Sequence, residues 1–104
     1  MTDGKRLLQE QVTEAAFQSQ VLAHAKLMGW EAHWTRFSIR SPDGWLDLYL
    51  SRERDGREVF AELKTMRGKQ TAGQARWLMH HARCGREVYL WRPDYWHQIE
   101  EKLR

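Results

Sequence analysis

The chain has 104 residues, the size of one domain with a single core. Its one cysteine, Cys84, excludes an intramolecular disulfide and a cysteine-based zinc site. No apolar run approaches the roughly 20 residues of a membrane span, and the N-terminus has no signal-peptide core, so we expect a cytoplasmic protein without a membrane partner.

Seventeen Lys and Arg residues against fourteen Asp and Glu residues give a formal net charge of +3. The basic residues are concentrated between Lys64 and Arg92, where seven of them accompany a single acid, Glu87. A basic half of this kind is typical of proteins that bind phosphate groups. A soluble basic surface without a ligand would have the same composition.

Residues 1–11 are polar and predict a flexible N-terminal segment, and residues 12–104 are predicted to form one domain. Thr13 is a typical N-cap, and apolar residues then recur at helical spacing as far as Gly29, a typical helix stop. These signals predict a first helix. Glu14 falls in its first turn, where the helix dipole favours an acid, so a structural role alone explains that residue.

The segment from Trp30 to Ile39 is rich in aromatic and β-branched residues and predicts a first strand, followed by a turn at Ser41–Gly44. Two runs of alternating apolar and polar residues then flank Asp55-Gly56, which predicts a hairpin. A two-residue loop there would place Leu48 opposite Leu63. The same register would place Asp47 opposite Lys64.

Alternation assigns the residues of this hairpin to two faces. The core face would carry Leu46, Leu48, Leu50, Val59, Ala61 and Leu63, and the other face Trp45, Asp47, Tyr49, Phe60, Glu62 and Lys64. Asp47 and Glu62 would be diagonal neighbours, close enough to share a cation, and their oxygens are the ligands that Mg²⁺ prefers. Lys64 would stabilise charge on a phosphate. A solvated sheet face with ion pairs would carry the same residues, although acids in runs this apolar are costly without compensation.

A second helix is predicted after a basic loop. Thr71 and Gln74 fit a capping box, and Gly85 would end the helix. Its apolar stripe would consist of Ala75, Leu78, Met79 and Ala82. Gln74 is therefore either a cap or, with Lys69 and the first turn of the helix, part of a phosphate site.

The segment Glu87–Trp91 predicts a strand, and the helical connection before it favours a parallel neighbour. Asp94 is predicted to cap a short last helix with Trp96, Ile99 and Leu103 on one side. The predicted order is α-β-β-β-α-β-α, which is an α/β fold with a mixed sheet flanked by helices.

Five features occur in a set order: Glu14 on the first helix, Gly44-Trp-Leu-Asp47-Leu, Glu62-Leu-Lys64, Gln74 at a helix start, and Gly85–Pro93. Over about residues 12–93 this order resembles the VRR-NUC branch of the PD-(D/E)XK nuclease superfamily. The resemblance implies a restriction-endonuclease-like core and a metal-dependent phosphodiesterase. The chain departs from the family at Leu46, where proline often precedes the aspartate.

The resemblance also implies the roles of the matched residues. Asp47 and Glu62 would bind Mg²⁺ or Mn²⁺, and Glu14 would complete the outer shell of the metal. Lys64 would orient the water or stabilise the transition state, and Gln74 would hold the lysine or a phosphate. The candidate nucleic-acid contacts are Arg67, Lys69, Arg76, Trp77 and Arg83, and we expect Trp77 and Trp45 to be exposed.

Small domains of this kind look like phage or prophage nucleases, which implies an endonuclease for DNA, with branched or flap DNA as candidate substrates. A homodimer is expected, because cutting both strands symmetrically requires two active sites. The alternative is a non-catalytic basic module that binds nucleic acid or supports assembly. An RNase with the same metal chemistry would have the same residues, so the sequence does not separate RNA from DNA.

Overall fold

The computed structural model describes residues 9–34 and 48–104 of the chain. In this part the elements are α1 (Glu14–Leu27), β1 (Glu31–Trp34), β2 (Leu48–Arg52), β3 (Arg57–Leu63), α2 (Ala72–Arg83), β4 (Glu87–Trp91), a 3₁₀ turn (Pro93–Tyr95) and α3 (Trp96–Lys102). Residues 9–11 are also helical. The order of the longer elements confirms the predicted α-β-β-β-α-β-α. None of the helices in the described ranges is long and apolar enough to cross a membrane.

The strands of the described residues form one mixed sheet in the order β1-β2-β3-β4. The pairs β1–β2 and β2–β3 are antiparallel, and β3–β4 is parallel. The chain passes through α2 between the two parallel strands, as a parallel connection requires. The predicted mixed sheet and the predicted parallel pair are thus confirmed.

The core lies on the sheet face that alternation predicts. Leu48, Leu50, Val59, Ala61 and Leu63 are all buried, and Leu46 lies outside the described residues. The helices α1 and α3 and the last residues of the chain add Phe17, Val21, Ala25, Ile99 and Leu103 to the same cluster. These two helices therefore pack on one face of the sheet, and Glu62 lies on the other.

Local sequence signals set the helix ends. The hydroxyl of Thr13 caps α1 by accepting a backbone N–H three residues later at 3.1 Å. Thr71 and Gln74 form the predicted capping box at the start of α2. Gly29 and Gly85 follow the two helices with φ values of 88° and 79°, a conformation that residues with a Cβ rarely adopt.

The start of α3 differs from the prediction, because Asp94 does not cap it. Asp94 lies inside the 3₁₀ turn Pro93–Tyr95, which begins with proline. The N–H of Trp96 donates to the carbonyl of Pro93, so the turn itself supplies an acceptor where the helix begins. A side-chain cap is therefore not needed there.

The register of the β2–β3 hairpin also differs from the prediction, by two residues. Leu48 pairs with Ala61, whereas the two-residue loop predicts Leu63. The turn instead takes four residues, Glu53–Gly56, and the last N–H of the turn donates to its first carbonyl at 3.3 Å. A shift of two residues leaves every side chain on its predicted face, which is why the core prediction is still correct.

Helix α2 covers part of the face opposite the core, but with a different stripe from the predicted one. The rings of Phe60 and His81 stack with centroids 4.5 Å apart, and Trp77 stacks on His81 at 5.9 Å. Met79 is 52 % exposed. Of the other predicted stripe residues, Ala75 and Ala82 are exposed and Leu78 is half-buried. Contacts with the aromatic side chain of the sheet, rather than helical periodicity, set how α2 faces the sheet.

Candidate active site

Glu62 is the centre of the candidate site. It lies near the end of β3 on the face opposite the core, and its side chain is fully buried. A carboxylate away from water is costly unless charges or hydrogen bonds compensate it. Gln70 Nε2 donates to Glu62 Oε2 at 2.6 Å, and Lys64 Nζ lies 3.5 Å from Glu62 Oε1. Both contacts favour the ionised carboxylate.

Lys64 directly follows β3 and extends its pairing with β4. Its backbone N–H donates to the carbonyl of Trp91 at 2.9 Å. Because Lys64 and Glu62 are two residues apart in extended chain, their side chains leave the same face. The Lys64 side chain is only 13 % exposed. The predicted Glu-X-Lys pair is therefore brought together as a shielded ion pair.

The loop between Lys64 and α2 is held by hydrogen bonds. Arg92 Nη1 donates to the carbonyls of Thr65 and Gly68, at 2.6 and 2.7 Å. The N–H of Gly68 donates to Thr65 Oγ1 at 3.0 Å. A Cβ at Gly68 would lie 3.4 Å from Lys64 Cδ and 3.0 Å from that hydroxyl oxygen, so the loop packs closely against the lysine stem.

Two glutamines near this loop have different contacts. Gln74 Oε1 accepts the backbone N–H of Thr71 at 2.9 Å, as the cap interpretation predicts. Gln70, which belongs to none of the motifs in the sequence, is the glutamine that contacts Glu62. Its approach depends on hydrogen bonds between the loop and the residue after β4, and no local pattern in the sequence signals them.

Asp47 lies outside the described residues, directly before β2 in the sequence, so its place beside Glu62 stays a prediction. Glu14 is exposed in the first turn of α1. Within residues 9–34 and 48–104, no three His, Cys, Asp or Glu side chains form a group that could hold a metal. The donor chemistry of Glu62 nevertheless fits Mg²⁺, which prefers carboxylate oxygens.

The predicted nucleic-acid contacts differ in exposure. Lys69, Arg76 and Arg83 are exposed, and Arg67 is 85 % exposed at its side chain, with Nη2 3.6 Å from a Glu10 carboxylate oxygen. Trp77 is half-buried rather than exposed, and the guanidinium of Arg76 lies 5.0 Å from its ring centroid. Trp45 lies outside the described residues. Helix α2 therefore presents cations outward and aromatic rings toward the sheet.

An aromatic contact adjoins Glu62 on the same face. Phe60 lies two residues before Glu62 and stacks on His81 of α2. Burial, together with the positive charge of Arg86 and the nearby His80, lowers the pKa of His81 below its usual value of 6.5. Because a guanidinium only donates, His81 Nδ1 is the acceptor in its 2.9 Å contact with Arg86 Nη1.

No protein-family model matches this chain. No curated protein matches it either. A solved structure described as a VRR_NUC domain matches it with a TM-score of 0.67 and 21 % sequence identity, over 85 % of this chain and 90 % of that chain. At this identity the similarity shows the fold alone. The chain therefore has the restriction-endonuclease-like α/β fold of a VRR-NUC domain, with a mixed sheet flanked by helices.

Proposed function

We propose that this protein is a metal-dependent nuclease that hydrolyses phosphodiester bonds in DNA. The observation that carries the proposal is the fully buried Glu62 carboxylate with the Lys64 ammonium 3.5 Å away. An ordinary surface ion pair is solvated and contributes about 0–1 kcal/mol. Burial of this acid is instead unfavourable for stability by itself, so a chemical role gives a reason for its place in the fold.

Glu62 and Asp47 would supply the carboxylate ligands for Mg²⁺ or Mn²⁺, and Glu14 would complete the outer shell. Such an ion, when bound, polarises a phosphoryl oxygen and lowers the pKa of a bound water. Burial by itself disfavours the ionised carboxylate, but the Lys64 ammonium and the Gln70 amide favour it, and this is the form that binds a metal.

Lys64 would act on the phosphate. Its ammonium has three donors and is held beside Glu62, so it can hydrogen-bond to a non-bridging oxygen. Negative charge on that oxygen grows as water attacks phosphorus and the bond to the leaving oxygen breaks, and a fixed cation stabilises it. Gln74 would reach a phosphate through Nε2, since its Oε1 is bonded to the backbone of Thr71.

The exposed cations of the loop and α2 would bind the DNA backbone on either side of the cut. These residues are Arg67, Lys69, Arg76 and Arg83. Backbone phosphates supply most of the affinity of such proteins, without sequence preference. Trp77 would stack on a base if one reached its ring. We propose branched or flap DNA as the substrate and a homodimer as the form that cuts both strands.

A non-catalytic module that binds nucleic acid is the second candidate. The observation that favours it is the set of exposed cations at Arg67, Lys69, Arg76 and Arg83, which can bind backbone phosphates without a metal. The two functions differ in their dependence on Glu62. A nuclease loses turnover without this acid, whereas a binding module keeps or gains affinity once a negative charge is removed.

The test is cleavage of linear duplex, flap, four-way junction, single-stranded DNA and RNA, with Mg²⁺, Mn²⁺ or EDTA. The matched pair of variants is Glu62→Gln and Glu58→Gln. Both acids lie on the same face of β3, but Glu58 is exposed and distant from Lys64 along the strand. Lys64→Ala is compared with Lys26→Ala, an exposed lysine on α1.

We expect metal-dependent cleavage that Glu62→Gln, Asp47→Ala and Lys64→Ala each reduce by at least about a hundredfold, with DNA binding retained. Glu58→Gln and Lys26→Ala should cleave like the unmodified protein. Binding without cleavage under every metal, or cleavage that survives Glu62→Gln, would overturn the proposal. Cleavage of RNA alone would correct the substrate.

A further inference from the structure

We propose that Gln70 and Arg92 are positioning residues for the Glu62 carboxylate, with Arg92 acting through the loop that carries Gln70. This inference rests on the proposed metal-dependent function, because the property that it concerns is the affinity of Glu62 for a divalent cation. It extends that function to two side chains outside the predicted metal-ligand set.

The side chain of Gln70 forms a direct hydrogen bond with the Glu62 carboxylate. The amide of Gln70 donates to Oε2 at 2.6 Å, and the acceptor is fully buried. A hydrogen bond to a charged acceptor in a water-excluded place is strong and directional. With Oε2 fixed by the amide and Oε1 facing the Lys64 ammonium, rotation of the carboxylate is restricted. Outer-shell groups of this kind orient metal ligands, and removing one typically reduces metal affinity by about 10–100-fold.

Arg92 fixes the loop that carries Gln70 through hydrogen bonds to its backbone. Arg92 follows β4, and its Nη1 donates to two loop carbonyls, those of Thr65 and Gly68. These residues precede Gln70 by five and two positions in the chain. The loop between Lys64 and α2 contains neither strand nor helix, so its backbone has no ladder of its own. The hydrogen bonds of Arg92 therefore fix the segment from which the Gln70 side chain reaches the acid.

The sign of the effect at Arg92 separates positioning from simple electrostatics. Removing a positive charge near a cation site strengthens cation binding by Coulomb's law. Loss of positioning weakens it. Gln70 is uncharged, so its replacement by a neutral residue has no such competing effect. Electrostatics alone therefore does not predict weaker cation binding in the variants of both Gln70 and Arg92.

The test measures Mn²⁺ binding to the full chain without DNA, by electron paramagnetic resonance of free Mn²⁺. Gln70→Met and Arg92→Met remove the donors and keep unbranched side chains, and the double variant combines them. Gln98→Met on α3 and Arg54→Met in the hairpin turn are matched controls at exposed positions. Thermal melting of each variant establishes that it is folded. A second variant is made at each position, Gln70→Ala and Arg92→Gln. The glutamine side chain is too short to reach the carbonyls of both Thr65 and Gly68.

We expect the Gln70 variants to weaken Mn²⁺ binding by about tenfold or more. The Arg92 variants should weaken it in the same direction, and the controls should bind like the unmodified protein. Because both residues act along one path, the double variant should bind within about twofold of Gln70→Met alone.

Unchanged affinity in the folded Gln70 variants overturns the inference. Equal or tighter binding in the Arg92 variants, or losses that multiply in the double variant, overturn the part assigned to Arg92. An unmodified protein that does not bind Mn²⁺ overturns the proposed metal-dependent function and this inference with it. Binding by the unmodified protein together with unaffected variants overturns the inference alone.

Discussion

Replacing Arg52 with methionine is expected to remove a large part of the stability of the fold. Arg52 is only 4 % exposed, and its guanidinium binds Asp55 through two hydrogen bonds of 3.1 and 2.8 Å. It also donates to the carbonyls of Met28, Leu103 and Arg104 at 3.0, 3.3 and 2.8 Å. The guanidinium carbon lies 4.3 Å from the ring centroid of Trp30. Arg52 thus joins the hairpin to the end of α1 and to the last residues of the chain.

Methionine keeps much of the aliphatic volume of Arg52 but has no donor. Removing one partner of a buried charged network costs about 3–5 kcal/mol. The Asp55 side chain is 35 % exposed and regains water, so we take the lower end of that range. A loss of about 3 kcal/mol lowers the melting temperature of a domain of this size by roughly 12–24 °C, at about 4–8 °C for each kcal/mol.

The assay is thermal and urea unfolding followed by circular dichroism. Arg54→Met is the control, because Arg54 is exposed in the adjacent turn and its replacement should change the free energy of unfolding by no more than about 0.5 kcal/mol. If Arg52→Met and Arg54→Met unfold within about 1 kcal/mol of each other, the assigned role of the buried guanidinium is wrong.

Two further predictions concern pH. The lowered pKa of His81 means that the unfolded chain binds the proton better, so the melting temperature should begin to fall as the pH drops below about 6.5. His81→Phe should reduce that fall between pH 7 and 5.5, and an identical profile would refute the assignment. Burial alone would raise the pKa of Glu87, but hydrogen bonds from Arg57 and Tyr89 outweigh burial and lower it. Its contribution to stability is therefore complete above about pH 4.5 and is lost at lower pH. In urea unfolding, Glu87→Gln should reduce the dependence of the free energy of unfolding on pH below about 4.5. An unchanged dependence would contradict the lowered pKa of Glu87.

The parts of the fold that the sequence predicts correctly depend on contacts between near neighbours in the chain. Thr13 and the Thr71–Gln74 pair cap helices through groups three residues away, so the pattern contains both partners. The inward face of the hairpin follows from strict alternation. The Glu62 and Lys64 side chains meet for the same reason, because two residues of extended chain return to one face.

The incorrect predictions of the hairpin turn and of the α2 stripe, and the missed contact of Gln70, depend on contacts between distant segments. Arg52 belongs to β2 and not to the turn, and the turn is longer than the predicted two residues. The Arg52 guanidinium binds the carbonyls of Met28 and Leu103, which are 24 and 51 positions away in the chain. The stripe of α2 is set by Phe60 from another element. Gln70 reaches Glu62 from a loop that Arg92 holds. Neither the secondary-structure propensity of a residue nor the spacing of a motif indicates which distant residues it contacts. The sequence alone therefore does not identify Gln70.

The position of β3 inside the sheet has a consequence for local opening of the protein. Both edges of this strand are hydrogen-bonded, to β2 on one side and to β4 on the other. Amides in such a strand exchange with solvent only when the sheet itself unfolds, whereas a loop held by side chains can open separately. Glu62 therefore lies on a strand of high local stability. Gln70, which contacts it, lies on a loop that can open while the sheet stays folded.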